Sequence, residues 1–106
     1  MRDLVLHLKS QYFREVADGI KLREYRLAKP YWASRLVGKI YDRVLICDAF
    51  KRFSEDTVIV FPWDGFERIT IMHEEFGPCL VDVFAIKLDR CPIRYEGKKR
   101  GKVEEL

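Results

Sequence analysis

A glycine at position 19 separates two segments of different periodicity. Up to this point apolar residues recur at the spacing of one helix face: Tyr12, Phe13, Val16 and Ala17. Glycine supplies the left-handed backbone conformation that ends many helices. Leucines alternate with other residues at positions 4–8, and residues 22–27 resemble a second strand. The chain therefore begins with a strand, a short helix with Ser10 as its predicted N-cap, and another strand.

The later elements are short as well. Pro30 fits the first position of a second helix that covers residues 31–37 and is closed by Gly38. Strands are predicted at residues 41–50, 57–61, 66–72 and 80–88, with a hairpin turn at residues 62–65. Five or six strands with two or more short helices do not suffice for a doubly wound sheet. We predict an α+β fold, a small, twisted, mixed and partly closed β-barrel whose ends the helices cover.

Composition indicates one domain with a single modest core. The chain has 106 residues, 48% of them apolar and 35% charged, and a net charge of +3. No apolar run is long enough for a membrane span, and the first residues lack the apolar stretch of a signal peptide. The three cysteines are odd in number and form no CxxC pair, which argues against a disulfide framework or a zinc motif. A cytoplasmic location is expected.

The last residues differ from the rest. Residues 1–90 carry the periodic apolar pattern, whereas residues 91–106 are rich in lysine and arginine and poor in apolar side chains. We interpret them as a basic C-terminal tail that is frayed or extended. Such a tail either contacts phosphates in a salt-dependent manner or keeps the chain end solvated.

Lys21, Glu24 and Arg26 are the first candidate site residues. Side chains alternate along a strand, so Glu24 and Arg26 point to the same side, with Lys21 at the strand's start. A carboxylate between two cations suits a polar, planar or anionic ligand. Glu24 could accept from a base amino group or act as general base on water. A surface salt-bridge cluster explains the same spacing.

Aromatic and basic residues of the second helix are further candidates. Tyr31 and Trp32 are adjacent, so one is expected in the core and the other outward, where it could stack on a base. Arg35 shares a helix face with Trp32, and Lys9 follows the first strand. These residues form the predicted ligand-binding set together with Lys21, Glu24 and Arg26.

Isolated histidines give a weaker signal. His73 and the following Glu74 and Glu75 have the composition of an acid–base loop, but a solvated loop is the simpler interpretation. No third ligand at a suitable spacing accompanies His7 or His73, so neither a metal site nor a cofactor is predicted.

These residues, in this order, resemble the ASCH domain family. The resemblance covers roughly residues 3–88 and rests on several short blocks. They are Tyr12-Phe13, Gly19-x-Lys21, Glu24-x-Arg26, Pro30-Tyr-Trp32, Tyr41-Asp-Arg-Val44, Phe61-Pro-Trp63, residues 73–77 and Val81-Asp-Val-Phe-Ala-Ile86. The resemblance implies a β-barrel related to the PUA RNA-binding domain.

Members of that family are inferred to bind RNA or modified nucleosides. Some small bacterial members are amidohydrolases that remove the acetyl group from acetylated cytidine nucleosides, and another type is linked to cleavage of single-stranded RNA. The amidohydrolase pattern has a Lys, a Thr three residues later and a more distant Glu. Lys21 matches the Lys, Glu24 stands at the Thr position, and Glu74 or Glu75 could supply the distant Glu.

Binding of RNA or a modified nucleoside is therefore the first functional hypothesis. Lys9, Lys21, Arg26 and Arg35 would hold phosphate or base edges, and Glu24 would accept from an exocyclic amine. The alternatives are a hydrolase and a module that binds another protein. The hydrolase would be a nucleoside amidohydrolase, in which Lys21 and Glu24 act with help from Glu74 or His73. Alternatively it would be a ribonuclease that acts through Lys21, a nearby Tyr and His73.

Overall fold

The computed structural model describes residues 2–51 and 57–96, which form two helices and seven strands. The first five elements are β1 (Asp3–Leu8), α1 (Ser10–Ala17), β2 (Arg23–Leu27), α2 (Pro30–Leu36) and β3 (Arg43–Asp48). Then follow β4 (Val58–Pro62), β5 (Phe66–Ile71), a 3-10 turn (Glu74–Phe76), β6 (Val81–Lys87) and β7 (Arg94–Glu96). The predicted α+β class is confirmed.

The strands form two separate sheets. The larger has the order β1-β3-β4-β7, with β1 parallel to β3 and the other pairs antiparallel. The smaller has the order β2-β6-β5 and is antiparallel throughout. Within residues 2–51 and 57–96 no strand ladder joins the two sheets, so the predicted barrel is not confirmed. Among the described residues, the end strands β1 and β2 each have one edge without a strand partner.

The hairpin predicted at residues 62–65 is wrong. β4 pairs with β3 and β7, whereas β5 pairs with β6, so this turn carries the chain from one sheet to the other. The Trp63 amide donates to the Asp42 carbonyl at 3.2 Å, and the Lys87 amide donates to the Gly65 carbonyl at 3.0 Å. These bonds fix the two ends of the turn to different sheets. An Asp-Gly turn sets the local chain direction, but the neighbours of each strand come from elsewhere in the chain.

The main apolar core joins residues of both sheets and both helices, and a second, smaller cluster consists of Cys47, Val58 and Val60. The predicted alternation in β1 is confirmed, because its three leucines are buried. In β6, by contrast, residues 83–86 are all buried, so this central strand is covered on both faces. The core consists mainly of Leu4, Leu6, Leu8, Phe13, Val16, Leu36, Val44, Ile46, Ile59, Phe61, Phe84, Ile86 and Leu88.

The end of α1 follows the sequence prediction, and its start does not. Gly19 has φ +76° and donates to the Val16 carbonyl, while Ile20 donates to the Glu15 carbonyl. This pair of bonds is the Schellman arrangement. Ser10 is the first helical residue and not the N-cap, because its hydroxyl donates instead to Asp48 of β3 at 2.7 Å.

The backbone of β7 pairs with β4, so the larger sheet includes residues assigned by sequence to the basic tail. The rest of that tail, residues 97–106, lies outside the described residues. Cys47 is buried in β3, whereas Cys79 and Cys91 are exposed, and all three thiols are free. In the described part of the chain, no helix has the length and apolar character needed to cross a bilayer.

Candidate functional site

A cleft of about 450 Å³ lies between the edges of β1 and β2 that have no strand partner in residues 2–51 and 57–96. Its walls come from these edges, α1, α2 and the 3-10 turn, and its volume is within the roughly 300–1,000 Å³ of small-molecule sites. Seven of the nine predicted site residues line it: Lys9, Lys21, Glu24, Arg26, Tyr31, Trp32 and His73. Arg35 and Glu74 are not among the lining residues. The topology thus gathers residues that are up to 64 positions apart, from Lys9 to His73.

Three charged side chains form the floor of the cleft, and we call them the charged triad: Lys21, Glu24 and Arg26. One Glu24 oxygen, Oε1, lies 3.4 Å from Lys21 Nζ, and the other, Oε2, lies 2.8 Å from a terminal nitrogen of Arg26. The three side chains are only 11%, 10% and 19% exposed. The surface salt-bridge interpretation of these residues therefore does not fit, because the cluster is largely withdrawn from water.

Local structure places each member of the triad. The Schellman turn at Gly19 folds the chain back, and the Lys21 amide donates to the Glu15 carbonyl at 3.1 Å. Glu24 and Arg26 follow on the same face of β2. Arg26 also donates to the His7 carbonyl of β1 at 3.1 Å. This guanidinium therefore links the edges of the two sheets at the point where no ladder joins them.

Burial and charge act on Glu24 in opposite directions. Burial raises the pKa of its carboxyl group, whereas the charges of Arg26 and Lys21 oppose that rise. The result is a carboxyl group with a raised pKa that is still held in place by two donors. Such a group can accept a hydrogen bond or a proton from a bound molecule, which is the behaviour expected at a functional site.

Aromatic rings surround the two cations of the triad. Lys21 Nζ lies 4.7 Å from the centre of the Tyr25 ring and 5.5 Å from that of Tyr12. The Arg26 guanidinium carbon lies 4.9 Å from the centre of the Trp32 ring. Cation–π attraction of this kind is stronger where water is excluded. The cleft therefore offers a base both polar partners and flat apolar surfaces.

Tyr31 and Trp32 divide as predicted. Trp32 packs against the core, and Tyr31 is 62% exposed at the rim of the cleft. Their rings meet edge to face at 5.2 Å. Arg35 does not line the cleft, but its guanidinium group makes cation–π contacts with both rings. The guanidinium carbon lies 5.4 Å from the Trp32 ring centre and 5.6 Å from that of Tyr31. The i, i+3 contact between Trp32 and Arg35 is confirmed.

The segment from His73 to Phe76 closes one side of the cleft. The His73 Nδ1 atom accepts from the Glu75 amide at 3.0 Å, so a neutral ring carries its proton on Nε2. The ring lies within 6 Å of three others, those of Tyr12, Tyr25 and Phe76. His73 is thus ordered by a backbone bond and by aromatic neighbours.

Two contacts attach this segment to α1 and the residue before it. Lys9 pairs with Glu75 at 3.0 Å, and the Tyr12 hydroxyl donates to Glu74 at 3.1 Å. Burial, and then the bond to Glu74, raises the pKa of Tyr12 to about 12. The phenol therefore stays a donor over the physiological range. Glu74 acts here as a partner of Tyr12 and does not line the cleft.

Sequence reasoning did not select several residues that line the cleft. Tyr12, Tyr25, Lys29 and Phe76 were outside the predicted set. Tyr25 lies between Glu24 and Arg26, so alternation assigns it to the opposite face. Because β2 is an edge strand, however, side chains from both of its faces reach the open edge. The order of charged and aromatic residues from 21 to 32 was the only local signal for this.

Neither a metal site among the described residues nor a similar known protein was found. Among the described residues, no three His, Cys, Asp or Glu side chains are grouped so that they could hold a metal ion. No protein-family model, curated protein or solved structure matches this chain. Function must therefore be argued from the cleft itself.

Proposed function

We propose that this protein binds RNA or a modified nucleoside, with one nucleobase in the cleft. The observation that carries the proposal is the buried charged triad at the floor of a cleft with aromatic walls. A nucleobase is flat and has donors and acceptors along its edge. It therefore matches a site that combines a carboxyl group, two cations and aromatic rings.

Each group has a defined part in this proposal. Glu24 accepts from the exocyclic amine of the base, and Arg26 presents planar donors to a carbonyl edge or a phosphate. Lys21, whose Nζ lies 3.4 Å from Glu24, holds a second oxygen of the ligand. Trp32 gives the base an apolar wall. Lys9 and Arg35 stand further out and add positive charge around the site.

A hydrolase is the second candidate, and the raised pKa of Glu24 favours it. In an amide hydrolysis, Glu24 would take a proton from water while the water oxygen bonds to the carbonyl carbon. Lys21 and Arg26 would hold the carbonyl oxygen as it gains charge. The carbon–nitrogen bond then breaks, and the amine leaves with the proton from Glu24. Cleavage of single-stranded RNA by Lys21, Tyr12 and His73 is the other hydrolytic variant.

Membership of the ASCH family and a cytoplasmic location are parts of the same proposal. The blocks of sequence that resemble the ASCH family contribute Tyr12, Lys21, Glu24, Arg26 and Trp32 to one cleft. The contact of Arg26 with His7 bridges the edges that a closed PUA-like barrel would pair. A cytoplasmic location is proposed from the three free thiols.

A panel of nucleosides, acetylated nucleosides and short RNAs tests the proposal, with binding and turnover both measured. We expect Arg26→Lys to lower affinity about tenfold, because lysine keeps the charge but lacks the planar donor set. Arg68→Lys is the matched control, since Arg68 lies on β5 and pairs with Asp82 away from the cleft. Release of cytidine from acetylcytidine, or shortening of RNA, would select the hydrolase.

Absence of both binding and turnover across the panel would refute the nucleoside proposal. The remaining interpretation would then be the protein-interaction module. Equal effects of Arg26→Lys and Arg68→Lys would also contradict it, because only Arg26 belongs to the triad.

A further inference from the structure

We propose that the ligand is a single-stranded oligonucleotide of at least two nucleotides, with one base in the cleft and its neighbour stacked on Tyr31. This inference rests on the proposed function and specifies its substrate class. Two side chains at the rim of the cleft are not needed to hold the first base in the proposed arrangement. They are Lys29 and Tyr31, which flank Pro30.

Tyr31 is built as a stacking platform. A tyrosine that is 62% exposed normally samples several orientations, but this one has two supports. Its ring meets Trp32 edge to face, and its hydroxyl accepts from Arg35 at 3.3 Å. The ring is thus oriented although it is open to solvent. Nucleobases stack on such exposed aromatic rings in proteins that bind single strands.

Lys29 supplies the charge for the phosphate between the two bases. It lines the cleft and is exposed, and no carboxylate within residues 2–51 and 57–96 pairs with it. The other cations of the cleft are engaged, because Lys9 contacts Glu75 and the two cations of the triad contact Glu24. Lys29 is therefore the cation that an incoming phosphate can meet without breaking an ion pair.

The backbone that leads into these two side chains is held by hydrogen bonds. The Lys29 amide donates to the Leu27 carbonyl at 2.8 Å, and the Ala28 amide donates to Asp82 of β6 at 3.0 Å. Pro30 then starts α2 with a restricted φ angle. The floor of the cleft, the cation and the ring are consequently presented by one rigid stretch of chain, as successive nucleotides of one strand would require.

Titrations of the full chain with four probes of one base test this inference. The probes are cytidine, its 3′- and 5′-monophosphates and the dinucleotide CpC, with the adenosine series measured in parallel. We expect affinity to rise from nucleoside to monophosphate to dinucleotide. Tyr31→Ala should lower the affinity for the dinucleotide roughly fivefold or more, and by a clearly larger factor than the affinity for the nucleoside. Tyr31→Phe, which keeps the ring, should retain most of the dinucleotide affinity.

Lys29→Ala should lower the affinity for the dinucleotide and make that affinity less dependent on salt concentration. Phe50→Ala and Lys39→Ala are the matched controls, since both side chains are exposed and neither lines the cleft. A dinucleotide that binds no more tightly than its nucleoside would overturn the inference and leave the proposed function standing. Failure of the wild-type protein to bind any nucleoside, monophosphate or dinucleotide would overturn both.

Discussion

The smaller sheet carries two clusters of similar charged groups, one near its β2 edge and one toward its β5 edge, and they differ in exposure. Near the β2 edge, Glu24 and Arg26 are 10% and 19% exposed and border the cleft. Toward the β5 edge, Asp82 and Arg68 pair at 3.3 Å but are 53% and 63% exposed. Both clusters join a carboxylate to an arginine on β-strands. Only the cluster of Glu24 and Arg26 is largely buried.

This contrast separates a surface ion pair from a candidate site. Ion pairs in water contribute little to stability, because solvent screens them and side-chain entropy opposes them. Burying an ion pair costs desolvation energy that an apolar cluster of similar size avoids. The triad is therefore poorly explained by stability alone. A bound ligand that uses the carboxyl group and both cations gives a reason for its burial.

Glu24→Ala is the largest test of this contrast. Removal of the carboxyl group leaves Lys21 and Arg26 buried without their acceptor, so we expect a loss of about 3 kcal/mol in the free energy of unfolding. Asp82→Ala should cost much less, since Arg68 remains solvated. Urea unfolding of both variants measures the difference. Equal losses would mean that the two clusters do not differ energetically.

Alanine substitutions at Gly19, which precedes Lys21 of the cleft, and at Gly38, which follows α2, compare the ends of the two helices. Gly19 and Gly38 both have positive φ angles, +76° and +73°, and no atom lies within 4 Å of an added Cβ at either position. Each alanine substitution should therefore cost about 1 kcal/mol through backbone strain alone. Only Gly19→Ala should also weaken nucleoside binding, because Lys21 follows two residues later. A loss of binding in Gly38→Ala would contradict this.

The two carboxyl groups should give opposite dependences of stability on pH. Burial raises the pKa of Glu24, so the wild type should lose stability relative to Glu24→Gln as pH rises above the ordinary value of 4.5. Bonds from Thr70 and Arg68 lower the pKa of Asp82, so the wild type should lose stability relative to Asp82→Asn as pH falls through 3.8. Denaturation curves between about pH 3 and 7 record both trends. If the stability of the wild type relative to both variants changed with pH in the same direction, the two carboxyl groups would not differ in the way proposed.

Tyr12→Phe is expected to have the smallest effect, about 1 kcal/mol or less at neutral pH. Because the pKa of Tyr12 is raised to about 12, the wild type keeps its advantage over the variant up to pH 10 and loses it between pH 10 and 12. Thr70→Val is the matched variant in the exposed cluster, because the Thr70 hydroxyl also donates to a carboxylate, that of Asp82. Its effect should not change over that alkaline range.

Most elements of the fold could be predicted from the sequence, because their signals are local. The Gly19 stop, Pro30 at the start of α2 and the leucine alternation of β1 each depend on a few neighbouring residues. The hairpin at residues 62–65 failed because strand pairing depends on distant partners. The same limit explains why Tyr25 was not selected: alternation assigns faces but does not show which strands lie at an edge.

The sequence by itself determined the short helices and strands, the grouping of Lys21, Glu24 and Arg26 around one strand, and the split between Tyr31 and Trp32. Tertiary structure alone decided that β1 and β2 are the end strands of the two sheets in the described part of the chain, and that Arg26 of β2 reaches the His7 carbonyl of β1. It also decided that His73 and Lys29 reach the same cleft. The physical reason is that periodicity reports on which side of an element is buried. The partner that buries it is fixed only when the whole chain packs.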